Sequence, residues 1–147
     1  MKKFLIILCI LGALYYGRNA IQSHEINKTA NVFITQALTD ISKTWSEADF
    51  KKNADASLAN AESLGATLAS YRKLGKLKGT PDCSLDSFDK YNYPEKAVVY
   101  VSATYVCKAV FDNAPADIQL ILRRYNENQW KIEYFALTSP YFTPSKR

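Results

Sequence analysis

The sequence is poor in the residues from which metal and phosphate sites are usually built. It has 1 His and 3 Cys in 147 residues, and it contains no Cys-x-x-Cys pair, glycine-rich phosphate loop or metal-ligand spacing. We therefore predict no metal, no cofactor and no His-based catalytic triad. With only 5 Gly and 5 Pro, the chain is also neither collagen-like nor of low complexity.

The composition is that of a folded single domain, with 48% hydrophobic and 22% charged residues. Nineteen Lys and Arg against 14 Asp and Glu give a net charge of +5, which by itself suggests that the protein binds nucleic acid. However, Lys2, Lys3 and Arg18 lie in the first 23 residues, which leaves only +2 for the remainder. We therefore predict that the protein has no nucleic-acid partner.

Residues 1–23 have the pattern of an export signal, because Lys2 and Lys3 precede 14 residues without a charge. As a helix, these 14 uncharged residues span about 21 Å, less than the roughly 30 Å hydrocarbon core of a membrane. The short length favours a cleaved signal peptide. Signal peptidase requires small residues at −3 and −1, and among the available pairs only Ile21/Ser23 is tolerable. This poor fit favours instead a retained transmembrane helix with Lys2, Lys3 and Arg18 at its ends. Either alternative predicts a bacterial cell-envelope protein, anchored in the inner membrane or free in the periplasm.

The cysteines support a location outside the cytoplasm. Cys9 belongs to the leader, so Cys83 and Cys107 remain as an even pair, 24 residues apart. In an oxidising compartment such a pair is expected to form a disulfide bond. Two buried thiols are the alternative.

Two apolar stripes predict amphipathic helices between the leader and residue 75. Ser46 to Asp49 resembles a capping box that separates them, and Asn53 is a candidate N-cap for the second helix. The first stripe comprises Ile26, Ala30, Phe33, Ala37, Ile41 and Trp45, and the second comprises Leu58, Ala61, Leu64, Leu68, Tyr71 and Leu74.

From Pro81 onward the pattern changes to that of strands. Strands are predicted over residues 83–91, 97–111, 117–125 and 130–137, with turns at 112–115 and 126–129. Such short connections favour an antiparallel sheet. We therefore predict an α+β fold: a signal or membrane helix (1–23), a domain (24–142) with two to three amphipathic helices on a curved four-stranded antiparallel sheet, and a polar tail (143–147).

The segment from about Ile26 to Ser139 resembles the nuclear transport factor 2-like, cystatin-like superfamily. The resemblance lies in Lys96 to Ala109, in Asp117 to Arg124 and in the closing Trp130-Lys131-Ile132 followed by an aromatic and an aliphatic residue. Thr44-Trp45 and Tyr71 to Lys78 are similar to segments of small exported bacterial members. The resemblance implies a cone of curved sheet capped by helices, with a cavity at its open end, but it leaves the function open.

Enzymes of this superfamily place an Asp or His in the cone for proton transfer. The acidic residues after position 80 lie outside apolar runs, and the only His lies beside the leader, so we expect them in solvent or in turns and predict no catalytic residue. The candidates considered are His24 and seven of these acidic residues: Asp82, Asp86, Asp89, Asp112, Asp117, Glu127 and Glu133.

Tyrosine is abundant, with ten residues, and it offers an apolar ring with a hydroxyl group for binding. We predict a ligand or partner surface, with packing in the core as the alternative, for Tyr71, Tyr100, Tyr105, Tyr125 and Tyr134. A basic cluster is predicted either to contact anionic headgroups or to complement a helix C-terminus. It consists of Arg72, Lys73, Lys76 and Lys78.

These features favour a non-catalytic module of the cell envelope. It is expected to bind a protein partner or a small apolar ligand through the cone or the exposed sheet face, which could also form a homodimer. A subunit of an envelope assembly, for secretion or lipid transport, is the first alternative. The second is an enzyme similar to ketosteroid isomerases or dehydratases.

Overall fold

The structure is a computed structural model that describes residues 2–126 and 128–142. Within these residues, the four α-helices precede the four strands along the chain. Met1, Glu127 and the predicted tail 143–147 lie outside the described residues. The helices are α1 (Lys2–Thr44), α2 (Glu47–Asn53), α3 (Ala56–Ala59) and α4 (Leu64–Tyr71), and short 3₁₀ helices span Arg72–Leu74, Pro94–Lys96 and Pro140–Phe142. The strands are β1 (Leu77–Tyr93), β2 (Val98–Phe111), β3 (Pro115–Tyr125) and β4 (Lys131–Thr138).

Helix α1 packs against the sheet through its C-terminal half. The whole predicted stripe from Ile26 to Trp45 is buried, which confirms the first amphipathic helix. Two hydrogen bonds join the helix to the sheet: the Tyr105 hydroxyl with the Asn27 Oδ1 at 3.2 Å, and the Leu77 amide with the Ser42 hydroxyl at 2.9 Å. These contacts define an inner face of the sheet, toward α1, and an outer face, away from it.

The N-terminal part of α1 continues without a break through the predicted boundary at residue 23. Several of its apolar side chains are exposed, among them Ile6, Ile10, Leu14 and Tyr16. Within the described residues, no helix combines the length and the apolar character needed to cross a membrane. The transmembrane prediction therefore has no support from the structure.

The link between α1 and α2 follows the predicted capping box. Trp45 leaves the helix with a φ of 50°. The Ser46 hydroxyl then accepts a hydrogen bond from the Asp49 amide at 3.2 Å, as expected for an N-cap. Chain reversal at this point places Trp45 in the core, where it contacts the rings of Tyr71 and Phe111 at centroid distances of 5.8 and 5.6 Å.

The prediction of one long second helix is wrong. Asn53 is the last residue of α2 rather than an N-cap, and Ala54 forms a parallel bridge with Ile132 of β4. The Asp55 amide donates to the Ile132 carbonyl at 2.7 Å. Because this backbone pairs with the sheet edge, the helical path breaks and restarts as α3 and α4.

The sheet is an antiparallel meander in the order β1-β2-β3-β4, as predicted. Strand β1 extends beyond the predicted residues 83–91 at both ends, because it pairs along the full length of β2. Pro81 lies in the register gap between Lys78 and Asp82, where a missing N–H disturbs no regular pairing. The inner face carries alternating buried residues, such as Ala103, Tyr105 and Cys107.

One end of the domain is closed around Gly75. The Trp45 Nε1 donates to the Gly75 carbonyl at 2.8 Å, and the Asp112 carboxylate accepts from the Lys76 amide at 2.8 Å. Gly75 has a φ of 81°, and a Cβ there would lie 2.7 Å from the Cβ of Asp112. Both the conformation and the close approach therefore require glycine.

The predicted disulfide is present between directly opposed residues of β1 and β2. Cys83 and Cys107 pair in the antiparallel register and are covalently linked. The bond therefore fixes the alignment of these two strands as well as closing the chain between them.

We predict that the double substitution Cys83→Ala/Cys107→Ala lowers the free energy of unfolding by roughly 3–4 kcal/mol, because the bond no longer restricts the unfolded chain. Urea denaturation followed by circular dichroism measures the change. Cys9→Ala is the matched control, since Cys9 is unpaired and exposed on α1, and it should leave the stability unchanged. Free Cys83 and Cys107 thiols in non-reduced peptides would contradict the prediction.

Candidate functional site

Four tyrosines form a continuous cluster on the outer face, at the end of the sheet that carries the β1–β2 connection. We call it the tyrosine ladder: Tyr91, Tyr93, Tyr100 and Tyr125. Tyr91 pairs with Tyr100 and Tyr100 with Tyr125, so three of the rings occupy one row across three strands. Tyr93 lies two residues beyond Tyr91 on the same face of β1.

The rings of the ladder are in direct contact. Tyr100 is central: its ring stacks on that of Tyr91 with centroids 4.5 Å apart and on that of Tyr93 at 5.9 Å. The Tyr125 ring lies 5.6 Å from it at a tilted angle. The outer rings are exposed by 39 to 46%, whereas Tyr100 between them is half-buried. The result is a preformed aromatic surface.

Arg123 holds the ladder from one side. Its guanidinium lies 5.1 Å from the ring centroid of Tyr100 and 5.9 Å from that of Tyr125, within the range of cation–π attraction. It also donates to the Tyr125 hydroxyl at 3.1 Å and forms a salt bridge with Glu133. The Arg123 Nε is buried and has no hydrogen-bond partner among the described residues.

The contacts shift two pKa values in this cluster. The neighbouring Tyr93 hydroxyl, together with burial, raises the pKa of Tyr100, so its hydroxyl stays protonated and neutral. Desolvation by itself would lower the pKa of Arg123, but the Tyr125 hydroxyl and the Glu133 carboxylate outweigh it and raise that pKa. At the centre of the ladder, a neutral Tyr100 hydroxyl therefore lies beside a charged Arg123 guanidinium.

The structure brings together only some of the tyrosines predicted to form a surface. Tyr100 and Tyr125 belong to the ladder, and Tyr134 is exposed on the same face opposite Ile121. Tyr105 is fully buried on the inner face, so for this residue the alternative of packing in the core holds. Tyr71 lies half-buried at the other end of the domain, against the rings of Trp45, Phe135 and Phe142, and so is not part of this surface.

Tyr91 and Tyr93 were missed as site residues. Their side chains alternate on β1 with Lys90 and Asn92. The connection through Pro94–Lys96 then sets Tyr91 opposite Tyr100 and Tyr93 opposite Val98. The alternation is visible in the sequence. Which residue it opposes depends on the register of β1 with β2, which the sequence pattern does not determine.

The interior contains no carboxylate among the described residues. The buried polar side chains there are Ser42 and Ser139, and the large buried side chains include Trp45, Phe50, Tyr105 and Phe111. The His and the acidic residues considered above lie elsewhere. His24, Asp82, Asp86, Asp89 and Asp117 are exposed, Asp112 caps the Lys76 amide, Glu133 pairs with Arg123, and Glu127 lies outside the described residues.

The predicted basic cluster lies at the end of the domain opposite the ladder. Arg72, Lys73, Lys76 and Lys78 are all exposed. The backbone of this segment is held by the β2–β3 turn, where the Asn113 side chain donates to the Lys73 carbonyl at 2.7 Å. Contact of these four side chains with anionic headgroups stays a prediction.

Burial raises the pKa of the Tyr105 hydroxyl from 10.0 to about 12. The folded protein therefore retains a proton that the unfolded chain loses above pH 10, and the associated stability, complete below pH 10, decreases as the pH rises toward 12. We expect the free energy of unfolding to fall more steeply in this window for the wild type than for Tyr105→Phe. Parallel curves from urea denaturation of the two proteins would contradict this assignment.

In comparisons with known proteins, no family model matches the chain, and no curated protein sequence and no solved structure matches it.

Proposed function

We propose that the protein is a binding module of the bacterial cell envelope, outside the cytoplasm, and that it docks a protein partner on the tyrosine ladder. The observation that carries the proposal is the central position of Tyr100. Its ring contacts three other tyrosine rings and the Arg123 guanidinium on an open face of the sheet. Clustered tyrosines beside an arginine are typical of the energetic centre of protein interfaces.

The surroundings of the ladder support a specific interface. The outer-face row next to the ladder on the side away from the β1–β2 connection is polar, because Asp89 pairs with Ser102 and Ser102 with Arg123. Because the rings already pack against one another, little side-chain entropy is lost when a partner covers them. An aromatic centre with a polar margin is the usual arrangement of a protein-binding surface.

Two features support the proposed location. The disulfide between Cys83 and Cys107 indicates an oxidising compartment, and residues 1–23 have the pattern of an export signal. The order of helices and strands also agrees with the nuclear transport factor 2-like superfamily, which we retain as part of the proposal. A fixed partner in the envelope would make the protein a subunit of an assembly.

The packed interior favours recognition on the surface over the other candidates. Trp45, Phe111 and Leu120 occupy the space between α1 and the sheet. The Tyr105 hydroxyl there contacts Asn27 rather than an acid. No observation on the described residues favours proton-transfer catalysis, so we do not propose an enzyme.

The proposal is tested by photo-crosslinking in living cells. A benzoylphenylalanine replaces Tyr125 at the margin of the ladder, and we expect one product with a different protein. Adding Tyr100→Ala should abolish that product because it removes the central ring. For the purified partner, identified from the product, Tyr100→Ala should weaken binding about 30-fold, the loss typical of an interface centre.

The matched control uses Val110, an exposed apolar residue at the far end of the sheet. It lies on the outer face and on β2, as Tyr100 does. Benzoylphenylalanine at position 110 should give no product, and Val110→Ala should leave the product at position 125 intact. Equal products from both positions, or a product with the mass of two copies of this chain, would contradict the proposal.

A further inference from the structure

A second surface lies on the inner face of the sheet, directly behind the ladder. Lys90 pairs with Val101 and Val101 with Arg124, so these three residues occupy one row across β1, β2 and β3. Because opposed residues share a face and Val101 is buried toward α1, the side chains of Lys90 and Arg124 also belong to the inner face. Two cations therefore flank an apolar residue.

The next row toward the β1–β2 connection supplies amides and a further apolar residue. Asn92 pairs with Val99. The Asn126 Oδ1 accepts a hydrogen bond from the Val99 backbone N–H at 2.8 Å, and the Asn126 backbone N–H donates to the Val99 carbonyl at 2.7 Å. These bonds fix Asn126 in place and leave its side-chain NH₂ group as a donor.

The two rows line a groove of about 450 Å³, formed by Lys90, Val99, Val101, Arg124 and Asn126. A second depression of about 390 Å³ adjoins it through Lys90 and is lined on the α1 side by Tyr15, Arg18 and Gln22, with Asn92 from β1. We call the two together the cationic groove. Its floor is the inner face of the sheet and one wall is α1.

The charged residues that the structure places along this groove are all cations. They are Arg18, Lys90 and Arg124, and no carboxylate lines the groove within the described part of the chain. Among residues 2–126 and 128–142, none of the three forms a salt bridge. The Arg124 guanidinium is held over the ring of Trp130 at 4.7 Å from the centroid, which orients its donors before any ligand arrives.

We propose that the cationic groove binds a phosphate-bearing anion. Lys90 supplies a point charge, Arg124 supplies a planar set of donors and the Asn126 side chain supplies an amide, a combination suited to phosphate oxygens. Val99 and Val101 contact the carbon portion next to the phosphate, as an acyl-glycerol would provide. The site is distinct from the tyrosine ladder, and its occupation does not depend on the proposed protein partner.

Two ligands carry the required chemistry, a phospholipid headgroup and free phosphate, and calorimetry on the full chain distinguishes them. The probes are dihexanoylphosphatidylglycerol below its micellar concentration, its zwitterionic analogue dihexanoylphosphatidylcholine, in which the choline cation offsets the phosphate charge, and inorganic phosphate. We expect phosphatidylglycerol to bind and phosphatidylcholine to bind at least about tenfold more weakly. Weaker binding of inorganic phosphate assigns the groove to a lipid headgroup, and equal binding assigns it to free phosphate.

The variant Lys90→Gln/Arg124→Gln should reduce the affinity for the bound anion roughly tenfold or more, since it removes two charged donors. Lys28→Gln/Lys108→Gln is the matched control, because it removes the same charge from exposed positions of α1 and β2 that lie outside both the groove and the basic cluster. It should change the affinity less than about twofold. An equal loss in both variants, or no binding of either anion by the wild type, would overturn the proposal.

Discussion

The packing of α1 on the sheet decides which face of every strand is available for binding. The stripe from Ile26 to Ile41 covers the inner face, and Trp45 closes one end of the core through its hydrogen bond to Gly75. Because side chains alternate along a strand, this one contact assigns each residue of β2 and β3 to the core or to solvent. A slip of one residue would exchange the two faces.

This alternation separates neighbouring residues that have different chemistry. Lys90 and Tyr91 are adjacent in the chain, as are Arg124 and Tyr125, yet the cations belong to the inner face and the rings to the outer face. The same three strands therefore carry an aromatic surface on one side and a cationic groove on the other. The Cys83–Cys107 bond, seven residues before Lys90, holds β1 and β2 in the register on which both surfaces depend.

Much of the fold could be predicted from local patterns. The stripe that ends at Trp45 and the alternation in β3 both appear in the sequence with the period of the element they form. The break at Ala54 could not be predicted, because it arises from pairing with Ile132, which is distant in the chain. Tyr100 and Tyr105 are five residues apart in one strand, so their opposite faces follow from the strand period and could have been predicted.

The membership of the two surfaces depends instead on contacts between strands. The most direct test of the assignment of Tyr100 to the outer face is the set of nuclear Overhauser effects from its ring in the full chain. We expect contacts from this ring to those of Tyr91 and Tyr125, 4.5 and 5.6 Å away between centroids, and none to side chains of α1. Contacts from the Tyr100 ring to Ile26 or other residues of the buried stripe would contradict the account, because they would place the tyrosine ladder on the inner face.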